Sequence, residues 1–240
     1  MANFFSKLFD LVRSKKSRVV MTAELERLCQ FESALDNLLK QDKYIARSDY
    51  KWLCDESSDI YSHFKILRDS GTLAYYCQEH GVEERRIVCF LSNYADLLNY
   101  EGPQIIIKHN NNYIDNHLES EKDYLDTVLY SVDPNIKLDV EQRKVVLSDE
   151  DYTLVIAGAG AGKTTTVAAK VKYLVDKKGI NPSQILVISF TNKAVGELQD
   201  KINKALKIDC PVTTFHKTGY AIRRRQEPEE RVRIVTEGYM

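Results

Sequence analysis

The chain has 240 residues, 43% hydrophobic and 29% charged, so it is long enough for one large or two small globular domains and is not a low-complexity sequence. Five cysteines without a C-x-x-C pair or zinc-type spacing argue against a disulfide framework or zinc site, and predict reduced thiols in the cytoplasm. The net charge of −1 divides unevenly: residues 1–136 carry 16 Lys/Arg against 22 Asp/Glu, and residues 137–240 carry 18 against 13. We therefore expect the second part to meet a polyanion.

The opening segment, MANFFSKLFDLVRSKKSR, combines apolar residues at helical spacing with a basic tail. Lys7 and Asp10 interrupt the apolar positions, so the segment does not predict a membrane span. Two interpretations stay open. The simpler one is an amphipathic helix packed on its own domain, and the other is a helix lying on a membrane surface.

The sequence predicts helices nearly throughout from Val19 to about Val132. TAELERLCQFESALDNLLK predicts a helix with Thr22 as N-cap and a leucine stripe. A second helix is predicted from about Val82 to Tyr100, stopped by Gly102-Pro103. A long helix or helical hairpin arm should follow, with one face formed by Ile107, Ile114, Leu118, Leu125 and Leu129. This part contains no catalytic motif, and its histidines are assigned to packing or to the surface.

The pattern changes at SVDPNIKLD, which predicts a turn, and short β-rich runs then alternate with helices. The predicted strands are 153–157, 185–189 and 211–215, and the predicted helices are 162–175, 192–206 and about 216–225. Strand followed by helix, repeated three times, predicts parallel strands joined by right-handed crossovers. The fold class is therefore α/β after an all-helical region, with a domain boundary between residues 136 and 137.

The stretch LVIAGAGAGKTTTV predicts a phosphate-binding loop at the start of a helix. The G-K-T end of the P-loop pattern is present at 162–164, but Ala157 stands where the strict pattern has its first glycine. An incidental glycine-rich turn is the alternative, and it is disfavoured because glycine costs about 1 kcal/mol relative to alanine in regular structure. Lys163 should reach the outer phosphates of ATP, and the Thr164 hydroxyl should ligate Mg²⁺. The predicted nucleotide contacts of the loop are Ala157, Gly158, Ala159, Gly160, Ala161, Gly162, Lys163, Thr164 and Thr165.

Upstream of the loop, LDVEQ has the pattern of a helix capping box between Asp139 and Gln142. Gln142 also lies 21 residues before Lys163, a register that suggests contact with the base of the nucleotide. Capping and base contact are compatible, because one side chain can serve both.

Downstream, SFTNKAVGEL places Phe190 at the carboxyl end of a predicted strand, where ligands gather in open parallel sheets. TTFHKTGYAIRRR repeats this arrangement with Phe215 and His216, followed by three arginines. Aromatic rings at such an edge can stack nucleic-acid bases. The alternative for Phe190 is a core phenylalanine followed by a capped, solvated helix, and the residues alone do not decide between the two.

Taken in this order, LDVEQ, AGAGAGKT, SFTNKAVGEL and TTFH resemble the glutamine motif and motifs I, Ia and Ib of UvrD-like superfamily 1 DNA helicases. The loop and the helical region ahead of it look most like the helicase IV branch. The resemblance covers about residues 137–220, and it implies a RecA-like P-loop sheet with helices on both faces, here incomplete. It also implies ATP hydrolysis with Mg²⁺, 3′ to 5′ translocation on DNA with unwinding, and recognition of adenine by Gln142. The residues that it places along single-stranded DNA are Phe190, Thr191, Asn192 and His216.

The chain departs from this family after His216. The family has an Asp-Glu pair at the end of a later strand, whereas here Glu237 lacks a preceding Asp, and the arginines of a second lobe are absent from these residues. We therefore expect an N-terminal helicase piece that binds ATP weakly, hydrolyses little of it and exposes a sheet edge and apolar surface. Expected partners are single-stranded DNA, or duplex with a single-stranded tail, and the rest of the helicase. A non-hydrolysing ATP- and DNA-binding regulatory module is the alternative, and a small-molecule P-loop kinase is disfavoured because nothing resembles a lid or an acceptor site.

Overall fold

The computed structural model describes residues 21–99 and 102–226. By their contacts these residues divide into two compact units, the first within Met1–Tyr113 and Asp149–Tyr152, the second within Ile114–Ser148 and Thr153–Met240. The amphipathic segment predicted at residues 1–18 and the stretch containing Glu237 lie outside the described residues. The domain boundary drawn after residue 136 stays a prediction.

The described part of the first unit consists of helices. They are α1 (Ala23–Leu39), α2 (Arg47–Asp69), α3 (Leu73–His80), α4 (Glu84–Leu97) and α5 (Gln104–Ser120), the last of which continues into the second unit. The predicted cap of α1 is confirmed, because the Thr22 hydroxyl accepts a hydrogen bond from the Leu25 N–H at 3.3 Å. The predicted helix ahead of Gly102 is also confirmed, although it ends at Leu97.

The core of the first unit combines the predicted leucine stripe of α1 with aromatic side chains. Leu25, Leu28 and Leu35 are buried. Phe31 lies among them and meets Phe90 edge to face, with ring centroids 4.9 Å apart. Edge-to-face contact adds to the free energy gained by burying the rings, so these aromatics help to fix one arrangement of the helices.

Of the predicted apolar face, Leu125 and Leu129 are buried and Leu118 packs against the same core, whereas Ile107 and Ile114 are only half-buried. α5 buries Ile106, Asn110 and Tyr113 instead, and α5 ends before a separate short helix begins at Lys122. Asn110 can occupy the buried face because its amide accepts from the Ile45 N–H at 2.8 Å and donates to the Ile45 carbonyl at 2.9 Å. A polar side chain with both groups satisfied is stable in a core, and hydrophobic periodicity cannot anticipate it.

The second unit contains the predicted alternation of helices and strands. Its elements are α6 (Lys122–Thr127), α7 (Val140–Leu147), α8 (Lys163–Asp176), a 3₁₀ turn (Pro182–Gln184), β1 (Val187–Ser189), α9 (Asn192–Gln199), a π-helical turn (Asp200–Ala205), β2 (Val212–Thr214) and α10 (Phe215–Gln226). β1 and β2 are parallel, with Val187 opposite Val212 and Ser189 opposite Thr214. Two of the three predicted strands and their parallel pairing are therefore confirmed.

The third predicted strand, at 153–157, is not formed. Leu154 and Ile156 are 85% and 90% exposed, so this run is not the buried strand that its composition suggests. Parallel strands with apolar residues on both faces need neighbours that bury them, and within the described ranges no strand pairs with this run. The expected exposure of apolar surface beside an incomplete sheet is confirmed.

The described sheet has one buried and one open face. Val187 and Val212 point into the core of the second unit, whereas Leu186 and Ile188 are 52% and 44% exposed. The placement of helices on both faces of the sheet stays a prediction. No helix in the described part of the chain is long and apolar enough to cross a membrane.

Candidate nucleotide-binding loop and strand edge

The residues between Ala157 and Lys163 form an exposed turn that leads directly into α8. Gly160 and Gly162 have φ angles of +78° and +74°, in the left-handed region that side chains disfavour. The Ala161 N–H donates to the Gly158 carbonyl at 3.4 Å and closes the turn. These two glycines are thus required by the backbone conformation of the loop.

The side chain of Lys163 folds back over this loop. Its Nζ donates to the carbonyl oxygens of Ala157 at 3.0 Å and Gly158 at 2.6 Å. Lys163 is exposed, so these contacts form at the surface of the unit. The ammonium therefore lies within the turn predicted to hold phosphate groups.

Backbone N–H groups of the loop and of the first turn of α8 are available to a ligand. The first N–H groups of any helix lack acceptors within that helix, and they carry its positive partial charge. Within the described ranges, no acceptor contacts the N–H groups of Gly160, Gly162 or Thr164. Such an arrangement of donors next to an ammonium favours an anion.

Gln142 joins the loop to the start of α7. The predicted capping box is confirmed: Asp139 accepts from the Gln142 N–H at 2.8 Å, and Gln142 Oε1 accepts from the Asp139 N–H at 3.1 Å. At the same time Gln142 Nε2 donates to the Ala161 carbonyl at 3.2 Å. The side chain therefore caps its helix and contacts the loop, although the two lie 19 residues apart.

The contact with Gln142 leaves little room at Gly162. A Cβ atom added to Gly162 would lie 2.7 Å from Gln142 Nε2, whereas one added to Gly158 or Gly160 would meet nothing within 4 Å. Gly162 is therefore fixed both by its backbone angle and by the approach of a neighbouring side chain.

Lys201 is a residue of this region that no sequence motif predicted. It lies in the π-helical turn Asp200–Ala205, and its Nζ donates to the Thr165 hydroxyl at 3.0 Å. Thr165 belongs to the first turn of α8, so a second ammonium lies close to the loop. Neither a motif nor a periodicity links residues 36 positions apart, and the sequence carried no signal for this contact.

The body of α8 is anchored beneath the loop. Ala168, Ala169 and Val171 are buried in the core of the second unit. Lys170 Nζ donates to the Val146 carbonyl at 2.9 Å and also to the Ser148 carbonyl, both at the end of α7. This packing holds the first turn of α8 and the capping helix α7 in one body.

A second group of predicted residues lies at the carboxyl ends of the two strands. Phe190 follows β1 and is 80% exposed, which rules out the core alternative for this side chain. Phe215 follows β2 and is 69% exposed. His216 stands between them, with its ring centroid 6.3 Å from Phe190 and 6.4 Å from Phe215. The structure thus brings together the aromatic residues of both segments, including Phe215, which the predicted DNA contacts left out.

Both helices that leave this edge are capped by threonine. Thr191 Oγ1 accepts from the Ala194 N–H at 3.2 Å, as predicted, and Asn192 is the exposed first residue of α9. Thr214 Oγ1 accepts from the Lys217 N–H at 3.3 Å. The caps fix the point at which each chain turns away from the sheet, so the aromatic rings are held on ordered backbone.

The described residues contain no group of three or more His, Cys, Asp or Glu that could hold a metal ion. The Mg²⁺ predicted for the loop has a different ligand set, since magnesium keeps several waters and takes oxygen ligands from phosphates. Thr164, the residue predicted to ligate this ion, is half-buried in the first turn of α8.

Comparison with known proteins shows that this part of the chain is similar to DNA helicases. Residues 138–233 match the family model for the UvrD/REP helicase N-terminal domain. A probable DNA helicase of Mycoplasma pneumoniae is 41% identical over 83 residues, 33% of this chain and 16% of that protein. The ATP-dependent DNA helicase UvrD1 of Mycobacterium leprae is 38% identical over 93 residues, and the ATP-dependent DNA helicase PcrA of Staphylococcus aureus is 36% identical over 91 residues.

These similarities are partial. Each of the last two covers 37% of this chain and 12% of the relative, so the matched segments span only a small part of the relatives' length. They support a domain of the UvrD/REP superfamily 1 helicase type within residues 138–233. They do not single out the helicase IV branch.

Proposed function

We propose that this chain binds Mg-ATP through the loop 157–164 and contributes that site to an ATP-driven DNA helicase. One observation carries the proposal: the exposed Lys163 ammonium folds onto the same loop whose Gly160, Gly162 and Thr164 N–H groups lack acceptors within the described residues. Anions bind at such positions because the N–H groups and the helix dipole act together. The match of residues 138–233 to a helicase domain supports ATP as the anion.

Lys163 would exchange its contacts with the loop carbonyls for contacts with the outer phosphate oxygens. The exchange is favourable because phosphate oxygens carry negative charge that attracts the ammonium, whereas the loop carbonyl oxygens are neutral. Thr164 would ligate Mg²⁺, which neutralises charge on the phosphates when bound. Gln142, already beside the loop, has an amide that can recognise the adenine base through paired hydrogen bonds.

We further propose that Phe190, Thr191, Asn192 and His216 contact single-stranded DNA. Exposed aromatic rings that stack on successive bases bind single strands with little sequence preference. The rings of Phe190 and His216 lie 6.3 Å apart at the end of the parallel strands, and Phe215 extends the same surface. Movement along DNA in the 3′ to 5′ direction and a place in the helicase IV branch are finer proposals that rest on the motif resemblance.

Hydrolysis by residues 1–240 alone should be slow. Phosphoryl transfer relies on positioned charge from several groups, and these residues contain no Asp-Glu pair at the end of an apolar run after His216. The non-hydrolysing regulatory module remains the alternative, and ATPase activity of a longer polypeptide carrying such a pair separates the two. Reduced thiols and a DNA substrate fit the cytoplasmic location expected from the sequence.

Calorimetric titration with Mg-ATP tests the proposed site. Lys163→Ala should weaken binding by about 10- to 100-fold, because a hydrogen bond to a charged group contributes about 1.5–3 kcal/mol. Lys172→Ala is the matched control, since it removes a lysine from the same helix whose Nζ pairs with Asp176 at 2.8 Å. Equal affinity of both variants and the parent chain would refute the assignment of the loop.

Fluorescence anisotropy with a labelled oligothymidine tests the DNA surface. Phe190→Ala combined with His216→Ala should weaken binding about ten-fold or more, because stacking contributes about 1–3 kcal/mol per base. Tyr130→Ala serves as the control, because Tyr130 is an aromatic residue of the same unit that is 62% exposed and follows no strand. An unchanged affinity of the double variant contradicts the proposed surface and leaves the nucleotide site untouched.

A further inference from the structure

Helix α10, which begins at the strand edge, carries cations and no carboxylate. Its sequence, FHKTGYAIRRRQ, contains one histidine, one lysine and three arginines, and neither aspartate nor glutamate. Lys217 and all three arginines are exposed. Within the described ranges, no carboxylate forms an ion pair with Lys217 or Arg224. A helix of this composition attracts a polyanion.

Most of these cations share one side of α10 with His216. Successive residues of an α-helix are rotated by about 100° around its axis. Arg223, seven residues after His216, therefore projects to the same side as His216, and Lys217 and Arg224 lie next to them. We call the surface formed by Lys217, Arg223 and Arg224 the basic face. Arg225 projects to the side of the helix opposite His216, so it does not belong to this face.

The contact between α10 and the sheet leaves the basic face uncovered. The Thr218 hydroxyl donates to the Thr214 carbonyl at 3.1 Å, and the Lys217 N–H donates to Thr214 Oγ1 at 3.3 Å. Thr218 lies about 200° from His216 around the helix axis. The start of α10 is thus fixed to β2 through the side that carries Thr218, while the cations remain accessible from the other side.

Helix stability accounts for the arginines but not for Lys217. Cations in the last turn of a helix are favoured by the negative end of its dipole, and the three arginines lie there. Lys217 lies in the first turn, where the same dipole disfavours a cation. A negatively charged ligand beside His216 would offset this cost, so the position of Lys217 points to a ligand along α10.

We propose that the basic face of α10 binds phosphates of the single strand whose bases stack on Phe190 and His216. The inference rests on the proposed DNA surface and extends it along the helix. From His216 to Arg224 the helix rises about 12 Å, so the contacts with the DNA backbone continue beyond the aromatic rings. Phosphate contacts carry no sequence information, and their role is to fix the path of the strand across the unit.

The salt dependence of oligothymidine binding to the full chain tests this assignment. Lys217→Gln combined with Arg224→Gln should weaken binding about 10- to 100-fold at about 50 mM salt, and the difference should nearly vanish at about 1 M. Each phosphate contact on a single strand contributes about 0.7 to the slope of log K against log salt concentration, so this slope should become shallower by about 1.4.

The matched control is Arg225→Gln combined with Lys204→Gln. It removes the same number of positive charges from other exposed positions of the second unit, and it leaves the basic face intact. The control should keep the slope of the parent chain. Circular dichroism melting checks that both double variants are folded, which is expected because all four side chains are exposed.

Two results would overturn the proposal. The first is an unchanged slope in the Lys217, Arg224 variant, and the second is an equally reduced slope in the control, which would assign the effect to overall charge. Phe190→Ala combined with His216→Ala should lower the affinity without changing the slope, because stacking releases no counterions. If this ring variant binds like the parent chain while the Lys217, Arg224 variant loses slope, the basic face stands and the proposed ring surface fails.

Discussion

The cores of the two units differ in how completely their apolar residues are covered. In the first unit, the aromatic and leucine side chains of α1, α2 and α4 enclose one another, and Phe31, Phe64 and Phe90 are at most 1% exposed. In the second unit, the buried face of a two-stranded sheet packs on helices while Leu154, Ile156 and Ile188 face solvent. The core of the first unit is therefore closed by aromatic and leucine packing. The second unit leaves apolar side chains exposed beside its sheet.

The largest expected loss of stability comes from truncating a buried aromatic ring of the first unit. Phe64 is fully buried, so Phe64→Ala should lower the free energy of unfolding of the first unit by about 3–5 kcal/mol through lost burial and cavity formation. Mg-ATP affinity measured below the melting temperature should stay unchanged, because the proposed site lies in the second unit. Calorimetric unfolding and ATP titration check both expectations, and a parallel loss of ATP affinity would show that the units are not energetically separate.

A smaller loss of stability is expected when the buried amide of Asn110, which the hydrophobic pattern did not predict, is replaced. Asn110→Leu removes both partners of Ile45, leaving its N–H and carbonyl without hydrogen bonds in the core. Each unsatisfied group costs about 1–3 kcal/mol, and the added apolar side chain offsets only part of that. Chemical denaturation measures the change, and Asn111→Leu at an exposed position of α5 is the control. Equal stability of the two variants would mean that Asn110 fills space only.

In the second unit, Gly162→Ala tests whether the loop requires the left-handed backbone conformation of Gly162 or can change shape freely. An alanine there would be held at a φ of +74° with its Cβ 2.7 Å from Gln142 Nε2. The strain is about 1–2 kcal/mol, and displacement of Gln142 adds to it. Gly158→Ala is the matched control, because a Cβ there meets nothing within 4 Å and φ is not positive. Thermal melting should show a lower midpoint for the first variant only; equal midpoints would indicate that the loop adapts freely.

Much of the second unit was predictable because local chemistry determines it. The capping box of Asp139 and Gln142, the Thr191 cap and the glycine turn each depend on residues close in sequence. The same holds for Thr22 in the first unit. Local hydrogen-bonding options leave a clear signature in residue types, so the sequence can be interpreted without knowing what lies nearby in space.

The features that the sequence did not predict depend on distant neighbours. Lys201 meets Thr165 across 36 residues, and Asn110 meets Ile45 across 65. The run 153–157 has the composition of a buried strand but lacks a described strand beside it. Strand formation requires hydrogen bonds to another segment, so β-propensity alone could not decide whether this run would pair.

The smallest expected effect on stability belongs to that exposed run. Leu154→Ser combined with Ile156→Ser removes side chains that are 85% and 90% exposed, so the free energy of unfolding should change by less than about 0.5 kcal/mol. Self-association should decrease at the same time, because exposed apolar residues on an unpaired extended segment promote contact between chains. Sedimentation velocity across a concentration series measures association, and Leu147→Ser, at a fully buried position of α7, provides the destabilised comparison. A large loss of stability in the double variant would mean that residues 153–157 are buried in solution, and the contrast between the two units would then reduce to the open face of the sheet.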